Sequence, residues 1–160
     1  MERSQAEEPG SFYQAMLAVL ATAFAAEAYL NYMGPLVAPN WTDDDERLEP
    51  NKKLKRVARA AGYELDTNSG EYRDFNRLFR ARNLLVHGRK ETVHAAWDPA
   101  VEGISGADSL ATQWMMECNP VRAAKLLNSA RALIVAIHRA SGRFLDPFMT
   151  MAEGESSGGI

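Results

Sequence analysis

The sequence predicts an all-α fold, namely an up-and-down bundle of four main helices with a long irregular loop between the third and the fourth. Apolar residues recur at the three- and four-residue intervals of a buried helix face, and Gly, Pro and Asn mark the helix limits. With 160 residues, 46% of them hydrophobic, the chain is long enough for one domain with a sizeable core. We expect this domain to span residues 11–148, between a disordered leader (1–10) and a disordered tail (149–160).

The first helix is predicted over Phe12–Met33, where apolar residues lie on nearly every side. We expect it to be buried on several sides and to end at Gly34-Pro35, because proline interrupts helices. Its longest apolar run, Ala15–Ala26, is too short and too polar for a membrane span, so no membrane is expected among the partners.

An acidic segment, Asp43–Glu46, precedes the second helix. Its consecutive carboxylates lack the spacing of a calcium-binding loop, which favours a solvated loop and no metal site. The second helix is predicted to begin near Pro50 and to stop at Gly62, with one apolar face and one basic face.

The third and fourth helices are delimited by capping residues. The third is predicted to begin after Ser69 and to end in the segment Arg82–His87. The fourth is predicted to run from Asn119-Pro120 to about Ser141.

Residues 88–118 form the long loop between these two helices. Loops of this length are often functional, and Thr92–Trp97 is compatible with a short strand. The sequence leaves open whether this loop folds over a site as a lid or packs as an irregular subdomain.

The end of the third helix carries three polar residues, Arg82, Asn83 and His87. Arg82 occupies a position where helical spacing calls for a core residue, so its guanidinium needs a carboxylate or phosphate partner. Asn83 and His87 are four residues apart and share the adjoining face. The three side chains are therefore expected to converge beside one another. The apolar stripe around Arg82 consists of Phe75, Leu78, Phe79, Leu85 and Val86.

Glu27 is the only charged residue between Glu8 and Asp43, which indicates that it is buried or lies at an interface. We predict that it pairs with Arg82 or lies at a dimer seam. Such a pair either orients Arg82 for function or is purely architectural. His87 alone also has a structural interpretation, since its cationic form suits a helix C-terminus.

Basic residues are concentrated in one part of the chain. The segment 52–90 holds eleven basic and four acidic residues, a net charge of +7, whereas the rest of the chain is at −10. This pattern favours a polyanionic partner, with a solvated basic face as the alternative.

The single cysteine, Cys118, excludes an internal disulfide framework and favours a reducing, cytoplasmic setting, and we expect its thiol to be buried and inert.

The order of helices, the Arg82-Asn83-xxx-His87 motif and the segment Phe24–Asn31 of the first helix resemble the HEPN superfamily of all-helical domains. The resemblance covers roughly residues 12–141. It implies a metal-independent endoribonuclease, often a toxin or an antiviral effector. In this family the two motifs of a homodimer face each other across a cleft.

The resemblance also implies roles for single residues. His87 would move protons, Arg82 would stabilise charge on the phosphoryl oxygens, and Asn83 would orient the phosphate or the imidazole. Glu27 would orient Arg82. No cofactor or metal is expected, and the products would be a 2′,3′-cyclic phosphate and a 5′-hydroxyl.

The expected partners are RNA, a second copy of the chain and, in keeping with the family, a protein antitoxin or regulator. The alternative is a non-catalytic HEPN-like module for dimerisation, protein interaction or RNA binding, because an apolar first helix needs covering by its own chain or by a partner. The residues expected to contact RNA are Lys52, Lys53, Lys55, Arg56, Arg80 and Arg89.

Overall fold

The computed structural model describes residues 10–87, 113–143 and 147. Over these residues the fold is all-α, as predicted, and contains no strand. The described residues form six helices, because two short segments are helical in addition to the four that the sequence predicts. The helices are α1 (Ser11–Val37), α2 (Asp43–Glu46), α3 (Pro50–Ala60), α4 (Gly70–Val86), α5 (Gln113–Glu117) and α6 (Pro120–Ala140).

Helix α1 continues past Gly34-Pro35 to Val37, which corrects the predicted stop. The ring of Pro35 lies on the exposed side of the helix, and the Ala38 N–H donates to the Gly34 carbonyl at 2.9 Å. Gly34 itself is buried, and a Cβ at this position would overlap the Trp41 indole. Glycine is therefore required here because the chain after α1 folds back against the helix.

The acidic segment expected to be a solvated loop forms the single-turn helix α2. Asp45 accepts hydrogen bonds from the Thr42 backbone N–H at 2.9 Å and from its hydroxyl at 3.2 Å, as in a capping box. Its other carboxylate oxygen lies 2.7 Å from Arg56 Nη1, and Asp45 is buried. The prediction of a solvated loop is thus wrong for the conformation and for Asp45, which caps the turn and pairs with α3, whereas Asp43, Asp44 and Glu46 are exposed.

The limits of α3, α4 and α6 agree with the prediction. Ser69 caps α4 by accepting the Tyr72 N–H at 3.1 Å, and Asn119 caps α6 by accepting the Arg122 N–H at 2.8 Å. Gly62 follows α3 with a φ of 75°, a left-handed conformation that glycine adopts without strain. These ends were predictable because they depend on side chains next to the helix in sequence.

Helices α1, α3, α4 and α6 pack around one core, in which α6 contacts both α1 and α4. Leu30 of α1, Leu54 of α3, Phe75 of α4 and Ile137 of α6 have no exposed surface. Each such side chain stabilises the fold by about 1.5–3 kcal/mol. Val86 is 51% exposed, which corrects its assignment to the core stripe of this region.

Helix α1 contacts α3, α4 and α6, so it is buried on several sides as predicted, but one side is not covered by the described residues. We call this side the α1 outer face. By length and composition α1 is also apolar enough to cross a membrane, although part of it belongs to the core. The large apolar residues of the α1 outer face are Tyr13, Leu17, Phe24, Tyr32 and Leu36, between 47% and 65% exposed.

The long loop predicted over 88–118 is described only from residue 113 onward. Its last residues form α5, a short helix that the sequence analysis did not predict. The possible strand at Thr92–Trp97 and most of the predicted leader and tail lie outside the described residues.

Candidate functional site

A cleft of about 730 Å³ lies between the N-terminal end of α3 and one side of α4. It contains both amide and apolar side chains, together with one exposed arginine, Arg80. We call it the α3/α4 cleft. Its lining residues are Glu49, Pro50, Asn51, Tyr72, Asn76, Phe79, Arg80, Asn83, Leu84 and His87.

Asn83 and His87 both line the α3/α4 cleft, as their four-residue spacing predicts. His87 is the C-cap of α4, and its backbone N–H donates to the Asn83 carbonyl at 3.0 Å. The imidazole is exposed, and histidine is the side chain that most often serves as a catalytic acid or base. The cleft can therefore present an acid–base group, an amide and the Arg80 guanidinium to the same ligand.

Arg82 lies on a different side of α4 and does not line this cleft. Its Nη2 donates to Glu27 Oε2 at 3.1 Å, and its guanidinium lies 5.5 Å from the centre of the Phe79 ring. The Nε of Arg82 is buried without a hydrogen-bond partner among the described residues. Within one chain, two of the three motif residues converge and Arg82 does not, since neighbouring helix positions differ by about 100°.

The predicted pair of Glu27 and Arg82 is confirmed, and a third charged residue joins it. Lys53 Nζ lies 3.5 Å from Glu27 Oε1 and donates to Asn31 Oδ1 at 2.6 Å and to the Glu46 carbonyl at 2.8 Å. Its side chain has no exposed surface. The prediction that Lys53 contacts RNA is therefore wrong, because its ammonium is buried and its hydrogen bonds stay within the protein.

The other basic residues expected to contact RNA on α3 are exposed, although each has a neighbour. Lys52 Nζ lies 3.3 Å from Glu49 Oε2, and Lys55 Nζ lies 5.5 Å from the centre of the Tyr72 ring. Arg56 pairs with Asp45, and its Nη2 donates to a backbone carbonyl at 2.9 Å. The exposed pair of Lys52 is weak and leaves its ammonium available to an additional anion, whereas Arg56 is held by the buried Asp45.

Arg80, by contrast, has no ion pair within the described ranges and lies in the α3/α4 cleft. Among the described residues, it is the one predicted RNA contact that lies beside Asn83 and His87. Arg89 lies outside the described residues.

Asn76 and Arg73 are two residues of α4 that the sequence analysis did not single out. Asn76 lines the α3/α4 cleft, and its amide donates to the Tyr72 carbonyl at 2.9 Å. Arg73 is exposed and lines a second cleft that adjoins the first along α4. Their seven-residue spacing from Asn83 and Arg80 was the available signal, because residues seven apart share a helix face.

Two other side chains with reactive groups, Cys118 and His138, are buried in the fold. Cys118 is buried and unpaired, and burial raises the pKa of its thiol, in agreement with the predicted inert role. His138 is packed inside the bundle, where its Nδ1 lies 3.2 Å from Tyr29 Oη. Across the described portion of the chain, no three His, Cys, Asp or Glu side chains are grouped as a metal site would require.

Comparison with known proteins adds no relative. No protein-family model, no curated protein and no solved structure matches this chain.

Proposed function

We propose that this protein is a metal-independent endoribonuclease of the toxin or antiviral type, active as a homodimer. The observation that carries the proposal is the α3/α4 cleft, in which Asn83, His87 and Arg80 lie together on α4. An imidazole, an amide and a guanidinium form a suitable set of groups for cleaving a phosphodiester without a metal. The single cysteine is consistent with action in the cytoplasm.

The proposed reaction uses the ribose 2′-hydroxyl as nucleophile. A base accepts the 2′-hydroxyl proton while the oxygen attacks phosphorus, and the bond from phosphorus to the 5′-oxygen breaks as that oxygen gains a proton. The two His87 residues of a dimer could divide these proton transfers. A guanidinium stabilises the charge on the non-bridging oxygens. The products are a 2′,3′-cyclic phosphate and a 5′-hydroxyl.

The position of Arg82 supports a site shared between two chains. Arg82 is held by Glu27, which is three residues from Phe24 and thus next to the α1 outer face. The large side chains of that face carry no charge, so two copies can pair there without burying unpaired ions. In such a dimer the Arg82 of one copy would complement the His87 of its partner.

Cleavage assays with His87→Ala test this proposal. The purified protein and the variant are incubated with end-labelled transfer RNA and messenger RNA in excess EDTA, and product ends are identified. We expect the parent to produce 2′,3′-cyclic ends and His87→Ala to lose at least about a hundredfold in rate, the usual contribution of an acid–base group. Val86→Ala is the matched control, because it truncates an exposed side chain at the same helix end.

Arg82 needs a gentler substitution, since its removal leaves Glu27 without its partner on α4. Arg82→Lys keeps the charge but loses the bidentate fork, so we expect slower cleavage from a folded protein. Products with a 3′-hydroxyl and a 5′-phosphate, or cleavage that persists in His87→Ala, would contradict the mechanism.

A second candidate function, a non-catalytic module for dimerisation or protein interaction, is favoured by the α1 outer face. That face presents five large apolar side chains to solvent, and exposed patches of this kind often mark interaction sites. Absence of cleavage across several RNAs, together with self-association that Phe24→Asp abolishes, would favour this module over the nuclease.

A further inference from the structure

Three nitrogen-bearing side chains along α4 and its C-cap follow a seven-residue repeat. Arg73, Arg80 and His87 are exposed and spaced at seven and seven, so they lie on one side of the helix with little angular drift. At a rise of roughly 1.5 Å per residue, neighbouring members of the row are about 10 Å apart along the axis. Adjacent phosphates of a nucleic acid strand are closer together than this. Neighbouring members of the row therefore match every second phosphate of the strand.

Two clefts meet along this row. The α3/α4 cleft contains His87 and Arg80, and a second cleft of about 640 Å³ contains Arg80 and Arg73. We call the second one the α4/α6 cleft, since Lys125 of α6 also lines it. The clefts share Tyr72, Asn76, Arg80 and Leu84, which follow one another at four-residue intervals. Arg80 thus lies on the ridge between them.

The positive charge of the α4/α6 cleft comes from the arginines of the row. Arg77 makes two hydrogen bonds to Glu117, at 2.8 and 3.0 Å, and Lys125 Nζ lies 3.2 Å from Asp74 Oδ1. These four charges compensate one another. Arg73 and Arg80 have no ion pair among the residues that the structure describes, so they are free to bind an added anion.

We infer that α4 binds single-stranded RNA along its length, with phosphates at Arg73 and Arg80 and the scissile phosphate at His87. This inference rests on the proposed function and names its substrate class. A single strand is favoured because amides and apolar groups lie between the cations, namely Asn76, Asn83 and Leu84. These groups can contact unstacked bases, which a duplex keeps inside its stack.

Binding of a non-cleavable oligonucleotide tests the inference. A fluorescein-labelled 2′-O-methyl oligoribonucleotide of about 12 nucleotides, within the range of known single-strand sites, is titrated by anisotropy at several salt concentrations. We expect Arg73→Ala and Arg80→Ala each to weaken binding and to reduce the slope of log K against log salt by about 0.7, and the double variant by about 1.4. A duplex of the same sequence should bind more weakly.

Arg139→Ala is the matched control, because Arg139 is exposed on α6 and outside the residues that line the two clefts. The inference would be overturned if all three single variants lost the same affinity, if Arg73→Ala lost none, or if the duplex bound more tightly than the single strand.

The cleavage assay separates the two proposals. His87-dependent cleavage without an Arg73 effect refutes the binding row alone, and Arg73-dependent binding without cleavage refutes the nuclease alone.

Discussion

Replacing Lys53 with methionine tests whether the buried ion-pair network stabilises the fold. The Lys53 ammonium is buried, donates to Asn31 Oδ1 and the Glu46 carbonyl, and lies 3.5 Å from Glu27 Oε1. Methionine fills much of the same volume but has no donor. The substitution therefore leaves two acceptors without their partner and removes one of the two cations that pair with Glu27.

The expected cost follows from these contacts. A hydrogen bond that involves a charged group contributes about 1.5–3 kcal/mol, and removing one partner of a buried ion pair costs about 3–5 kcal/mol. Glu27 is 29% exposed and keeps Arg82, so its share is smaller. We expect the free energy of unfolding to fall by about 3 kcal/mol, and Tm by about 6–12 °C for a chain of this size.

Urea denaturation followed by circular dichroism measures this change, with Lys52→Met as the matched control. Lys52 is the preceding residue of the same helix, and its exposed ammonium pairs only with the exposed Glu49 among the described residues. Its substitution should change the free energy of unfolding by less than about 0.5 kcal/mol. A loss below about 1 kcal/mol for Lys53→Met, or equal losses for the two variants, would refute the reasoning.

Three further predictions concern the fold. Gly34→Ala adds a Cβ that overlaps the Trp41 indole, so urea denaturation should show a loss of about 1–3 kcal/mol. Ser69→Ala removes the side-chain cap of α4 and should cost about 1 kcal/mol in the same assay. Burial raises the pKa of the Cys118 thiol, so thiolate is scarce at about pH 8. Iodoacetamide should therefore label the native protein much more slowly than the urea-unfolded protein, with a rate that increases as pH rises.

Each of these predictions has its own control. Gly70→Ala is the counterpart of Gly34→Ala, because a Cβ at Gly70 would meet no atom within 4 Å, and it should not destabilise the protein. Asn68→Ala, at the exposed residue before the α4 cap, should change stability less than Ser69→Ala. Equal labelling rates for native and unfolded protein would show that Cys118 is accessible.

The sequence predicted the helices well where local chemistry sets their limits. Ser69 and Asn119 cap the helices that follow them, and both signals are readable within three residues. The predicted stop at Gly34-Pro35 was wrong, since α1 continues to Val37. Gly34 instead makes room for the indole of Trp41, a residue outside the helix. Local propensity does not report such a contact.

The candidate site also combines features that the sequence predicts with features that depend on tertiary packing. The spacing of Asn83 and His87 was enough to predict that they share a cleft, because both are on one helix. The pairing of Arg82 with Glu27 was predictable because Glu27 is an isolated charge in an apolar helix and Arg82 occupies a core position of α4. The burial of Lys53 was not, since a lysine in a basic run has the pattern of a solvated residue.

The sequence by itself determined the all-α class, the capped limits of α4 and α6, and the face that Asn83 and His87 share, because these depend on helical periodicity and on neighbouring side chains. Only the tertiary structure decided that the Arg82 side of α4 meets Glu27 of α1 and that Lys53 is buried. A helix sequence shows which residues share a face, but the packing of α1 and α3 against α4 decides which face meets a carboxylate and which meets solvent.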